Sequence, residues 1–251
     1  IGSEYIVLPK TPPNTNQIDT SKIISSIQAP QEVPLRVDFA GGWLDVPRFS
    51  KKGGLIVNCA IKPLVSLDKW EYKKKSGLGG SAAWAILNGE DGIKSEINLG
   101  VGWQDPAIIQ ETGLCVWNSG TKPELHLKRN GNMLKGVMAL KYSNIEHDTP
   151  SIVDIKRNYH LIYKASQIAC KAVMNENLDQ LADAVRISYE AQLDEGMNQL
   201  LEADNCIAQK YCGGGWGGYA LYLFSSNSDR EKFIDHNTQV TPIEPFMNNF
   251  L

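Results

Sequence analysis

The chain has 251 residues, 42% hydrophobic and 21% charged, with a formal net charge of −3, the composition of an ordinary globular protein. The slight negative charge speaks against a nucleic-acid binder, which carries a basic face, and no apolar run approaches the roughly 18 residues of a membrane-spanning helix. Five cysteines without a C-x-x-C pair read as reduced thiols of a cytoplasmic protein, since an odd count suits no full disulfide framework and the spacing suits no zinc site.

In chain order, "IGSEYIVLPK" lacks the basic head and apolar core of a secretory leader. The start at Ile1 rather than Met reads as a piece of a longer polypeptide. Residues 1–33 read as leader or linker, with Thr20 or Ser21 capping a short helix that carries Ile23, Ile24 and Ile27. The ordered body begins at Pro34. "PLRVDFA" alternates Leu35, Val37 and Phe39 with polar residues, a strand signal, and Gly41-Gly42 ends it. Further strands are expected over 54–61, 113–118, 124–129 and 136–143. Apolar residues at three- and four-residue spacing predict helices over 157–174 (Leu161, Ala165, Ile168, Ala169, Ala172) and 178–193 (Leu178, Leu181, Val185, Tyr189, Leu193). A strand returns over 217–224. Strands, then helices, then a strand predict an α+β chain of two lobes, 34–133 and 134–251.

Four stretches carry more glycine or charge than turns require. "KKKSGLGGSAAWAI" (73–86) runs a glycine turn into a small-residue helix. It is either a plain turn or an anion cradle made of backbone N–H groups and a helix N-terminus. It is not a Walker loop, because the G-K-[ST] ending is missing. In "GVGWQD" (100–105), Asp105 before Pro106 is either a helix cap or a carboxylate that accepts a hydroxyl proton. "YCGGGWGGYALYLF" (211–224) has five glycines in six positions ahead of a strand, which suits close approach to a loop or ligand. In "PLRVDFAGGWLDVPRF" (34–49), Asp45 is either a turn residue or a reader of sugar hydroxyls.

In this order, the four stretches resemble the GHMP small-molecule kinases. "PLRVDFAGGWLDVP" is similar to the first motif, "GLGGSAA" to the phosphate loop and "CGGGWGGYALYLF" to the third motif. "GGWLD" with "GWQD" is similar to the fucokinase and D-glycero-D-manno-heptose-phosphate kinase branch. The resemblance covers residues 34–224. It implies a two-lobed α+β fold with the site between the lobes, ATP and Mg²⁺, and phosphorylation of a sugar or sugar phosphate at the anomeric hydroxyl. Carried over by motif, Gly77, Leu78, Gly79, Gly80, Ser81 and Ala82 would hold the triphosphate, and Ser81 with Glu96 the Mg²⁺, Glu90 being the alternative. Asp105 and Arg36 would be catalytic. Trp43, Asp45, Trp103, Gln104, Gly213, Gly214 and Gly215 would meet the substrate, and Arg48, Lys51 and Lys52 could pair with a phosphate on it.

Two segments depart from the family pattern. Only fifteen residues (62–76) lie on the adenine side of the loop, and 22 (82–103) separate Ser81 from Gln104, broken by "NGEDG" (88–92). Either loops are missing from the chain, or the nucleotide pocket is degraded and the protein is a sugar-binding or structural module. The N-terminal "LPKTPPNTNQIDTSKIISSI" is similar to the closing segment of cytidylyltransferase-type nucleotidyltransferases, which implies a fused upstream domain.

Overall fold

A computed structural model describes residues 29–73, 75–146 and 149–248. The helix around Ile23 and the nucleotidyltransferase-like stretch lie outside these residues.

Strand β1 (Val33–Ala40) is buried along its whole length. Leu35, Val37 and Phe39 enter the main core. The period of two then places Arg36 and Asp38 together on the opposite face. β1 pairs antiparallel with β2 (Leu55–Val65), with Val37 opposite Cys59. β2 runs four residues past the expected end at Ile61. β3 (Leu114–Asn118) and β4 (Leu125–Arg129) continue the meander. β5 (Met138–Tyr142), β6 (Cys206–Tyr211), β7 (Tyr219–Phe224) and β8 (Val240–Pro245) complete one sheet of order β4-β3-β2-β8-β5-β7-β6, with β1 on β2. β8 lies between β2 and β5, pairing Lys62 with Glu244 and Leu140 with Thr241, so one sheet joins strands of both expected lobes.

Three short helices follow β2. α1 (Gly80–Leu87) is separated from α2 (Gly92–Asn98) by the breaker stretch, where Gly89 takes a left-handed φ and Asp91 caps α2 by accepting from the Lys94 N–H. This break lets α2 fold back beside α1. α3 (Gln104–Glu111) packs against both and against β1. After the single turn α4 (Thr149–Ile152), α5 (Tyr159–Asn175) and α6 (Leu178–Asp194) form a hairpin that packs on β1, β2 and β6. The buried stripe of α5 centres on Ile162, Ala165, Ala169 and Val173, one position round from the expected Leu161. α7 (Asn227–His236) leads into β8.

Candidate active site

A cavity of about 520 Å³ opens where β1, the glycine loop and helices α1–α3 meet. The loop is built by backbone packed on backbone. The Tyr219 N–H donates to the Ser76 carbonyl (2.9 Å), and Arg36 donates from Nη1 to the Gly77 carbonyl (2.6 Å) and from its backbone N–H to that of Leu78 (3.1 Å). A Cβ at Gly77 would stand 2.6 Å from the Cys212 carbonyl oxygen, and one at Gly218 2.3 Å from that of Ser76. The glycines of both motifs therefore let two loops touch. Gly79 then caps α1, and Gly79, Gly80 and Ser81 line the cavity. The unpaired N–H groups and dipole of this helix end favour an anion.

Ser81 Oγ donates to Glu96 Oε1 at 2.6 Å, across the α1–α2 break. Burial, then the charge of Asp105, pushes the Glu96 carboxyl up to about 7. Among the described residues, no cluster of three or more His, Cys, Asp or Glu could hold a metal alone. One hydroxyl and one carboxylate are what Mg²⁺ takes when phosphates and water fill its other positions, so Ser81 and Glu96 fit that ion.

Asp105 is gripped at both oxygens by Arg36, Nε to Oδ1 at 2.6 Å and Nη2 to Oδ2 at 3.0 Å. It lies in the first turn of α3, and the cap position belongs to Trp103, which makes no side-chain cap bond, so Asp105 is not a helix cap. Burial works to lower the Arg36 pKa, but Asp105 and then Asp38 outweigh it and hold it above its ordinary value. Asp38 also accepts from Lys210 Nζ (2.5 Å) and from the Gly213 N–H (2.6 Å). Burial would raise the Asp38 pKa, yet Lys210 and Arg36 bring it below the usual carboxylate value. A chain of alternating charge, Asp105–Arg36–Asp38–Lys210, thus runs under the floor of the site.

Asp45 is buried, not a surface turn residue. It accepts from Gln104 Nε2 (3.0 Å) and from the Gln104 N–H (3.3 Å). Burial, then Asp105, pushes its carboxyl up to about 6. Gln104 Oε1 is buried with no partner among the described residues. Trp43 lines the cavity, with the Arg157 guanidinium 3.5 Å from its ring centre.

Of the residues expected at the site, Arg36, Trp43, Asp45, Gly77, Gly79, Gly80, Ser81, Glu96, Gln104, Asp105, Gly213 and Gly214 line this one cavity, and Glu90 does too. Four do not. Trp103 is fully buried in the core, edge-on to Trp117, with its indole N–H on the Gly120 carbonyl, because α3 turns it inward while Gln104 and Asp105 face the cleft. The Leu78 and Ala82 side chains belong to the main core, which leaves only their backbone toward the loop. Gly215 packs against Met197. Arg48 pairs with Asp154, Lys51 lies over the Tyr163 ring, and neither they nor Lys52 line the cavity. Sequence reasoning missed Asp38 and Lys210, as well as Trp70 and Trp84, an aromatic pair 6.1 Å apart on the cavity wall. The signal for Asp38 was its place two residues after Arg36 on a strand.

No protein-family model and no curated protein sequence matches the chain. Solved structures do. A D-glycero-D-manno-heptose 1-phosphate kinase from Bacteriodes thetaiotaomicron superimposes with a TM-score of 0.58 at 16% identity, over 85% of this chain and 95% of that one. The Methanococcus jannaschii mevalonate kinase gives 0.63 at 12% identity, over 86% and 98%. Lactococcus lactis galactokinase complexed with galactose gives 0.56 at 13%, over 86% and 92%. The fold of this chain is that of the GHMP small-molecule kinases.

Proposed function

We propose that the chain is an ATP-dependent kinase that phosphorylates a hydroxyl of a sugar. The observation that carries this reading is the convergence, on one cavity, of a glycine loop at a helix N-terminus, the Ser81–Glu96 pair and an Arg-gripped carboxylate beside Asp45 and Gln104. The likeness to a heptose 1-phosphate kinase and to a galactokinase supports a sugar or sugar phosphate as the substrate class, and the anomeric hydroxyl as acceptor rests on the motif resemblance alone. An intact set of charged groups favours turnover over a sugar-binding or structural module.

In this reading the triphosphate lies against the loop amides and the α1 N-terminus. Bound Mg²⁺, held by Ser81 and Glu96, would neutralise phosphate charge. Asp45 and Gln104 orient the sugar. Both Asp105 oxygens keep lone pairs beyond those used by Arg36, and one accepts the hydrogen bond of the acceptor hydroxyl. As the acceptor oxygen bonds to the γ-phosphorus, the bond from that phosphorus to the β,γ-bridging oxygen breaks and ADP leaves with the electron pair. The hydroxyl proton passes to Asp105 and then to water. Such a transition state is loose, so positioning and charge carry most of the catalysis.

The test is ³¹P NMR of the chain with ATP, Mg²⁺ and a mixture of aldoses and ketoses. The expected result is a sugar phosphomonoester growing in step with ADP. ADP formation that is independent of sugar, or absent, would contradict the proposal.

A further inference from the structure

We infer that the acceptor is a neutral polyol and not a sugar that already carries a phosphate. The inference rests on the kinase reading and goes beyond it, because that reading admits either substrate.

A bound phosphate dianion needs donors and positive charge, because at neutral pH it has almost nothing to donate. Among the described residues, the cavity is lined by two cations only, Arg36 and Lys75. Arg36 is consumed by Asp105, Asp38 and the Gly77 carbonyl. Lys75 belongs to the glycine loop itself, where the triphosphate would lie. The other described basic residues near the cavity are committed elsewhere. Arg157 covers Trp43, but Nη1 donates to the Val153 and Ile155 carbonyls, Nη2 to that of Ile152, and Nε faces Glu195. Lys210 holds the Asp38 carboxylate and carbonyl on the wall of a small adjoining cavity that shares Gly42, Trp43 and Gly213 with the main one. Arg48 pairs with Asp154 at the surface.

What the acceptor end does offer is acceptors. Gln104 lines the cavity, and its Oε1 is buried and lacks a donor among the described residues. The carboxylates of Asp45 and Asp105 stand beside it on the same wall. Hydroxyl groups satisfy such a surface, since each brings one O–H donor. A phosphate there would face the Asp45 carboxylate, while Arg36, already bonded to Asp105 and Asp38, has no free positive charge to offer it, a repulsive element that adds to the discrimination.

The experiment uses the full chain with ATP and Mg²⁺. Hexoses, 6-deoxyhexoses and heptoses are each assayed beside the terminal phosphate ester of the same sugar, and each ligand is scored for its shift of the melting temperature. The expected result is a kcat/KM at least about 100-fold higher for the neutral sugar, the scale of placing like charges side by side, with a thermal shift from the neutral form alone. Equal or better use of the phosphate ester would overturn the inference and leave the kinase reading standing. Phosphorylation of neither form, with no thermal shift from Mg²⁺-ATP, would overturn both.

Discussion

Glu96 and Ser81 face each other at 2.6 Å, and the carboxyl titrates near 7 because burial and Asp105 disfavour its charge. A cation held there must displace the proton. Mg²⁺ affinity, measured by calorimetry with a non-hydrolysable ATP analogue, is therefore expected to fall as pH drops from 8 to 6, approaching about tenfold per unit below the carboxyl's pKa. In the cation-free protein the sign is opposite. The raised pKa stabilises the fold below the unfolded value near 4.5, and this contribution is lost as pH rises through about 7. Glu96→Gln should bind Mg²⁺ more weakly at pH 8 and lose the pH dependence. An unchanged pH slope in that variant would remove Glu96 from the metal site. At this scale the sequence was readable where a motif fixed the residue, as for Arg36, Ser81 and Asp105. Trp103 was misread because it sits at the N-cap, just before the turn that presents Gln104 and Asp105 to the cleft, and only the packing of α3 tells which way the indole turns.

The elements position the site through close approaches rather than through long helices. A Cβ at Gly102 would stand 1.7 Å from Asp45 Oδ2, so the loop before α3 clears Asp45 only because residue 102 is glycine. Gly102→Ala should push the Asp45 carboxylate away from Gln104 and raise the sugar KM by about 10- to 100-fold, the range for losing a charge-assisted hydrogen bond. The ATP KM should hold within a few-fold. Steady-state kinetics with each substrate varied in turn provides the check, and an unchanged sugar KM would detach Asp45 from the acceptor. β1 to β5, β7 and the α5–α6 hairpin were legible from runs of apolar residues bounded by glycine turns or set at helical spacing, whereas β6 (Cys206–Tyr211) was not expected. β8 was not, since Pro242 and Pro245 argue against a strand, and here they sit within a strand that pairs on both sides. α7 was hidden by its polar composition, with only Arg230 and Phe233 buried.

Over the whole molecule, the cleft needs both ends of the chain. β1 brings Arg36 and Asp38, α3 brings Asp105, and β6 with its glycine turn returns Lys210 and Gly213 to Asp38, 172 and 175 residues away. Long-range pairings of this kind leave no periodic trace, which is why the Asp38–Lys210 link escaped a reading based on motifs and spacing. The charge chain ends in Asp105, and the central claim is that this carboxylate receives the proton of the acceptor hydroxyl. The most direct test compares kcat and melting temperature of the wild type and Asp105→Asn on the same preparations. Asn keeps the shape and one acceptor oxygen but loses the charge that Arg36 grips. The account predicts a folded variant, a few degrees less stable, whose kcat is lower by about 10²–10⁴-fold, with sugar and ATP affinities within a few-fold. A folded Asn variant with the kcat of the wild type would contradict it.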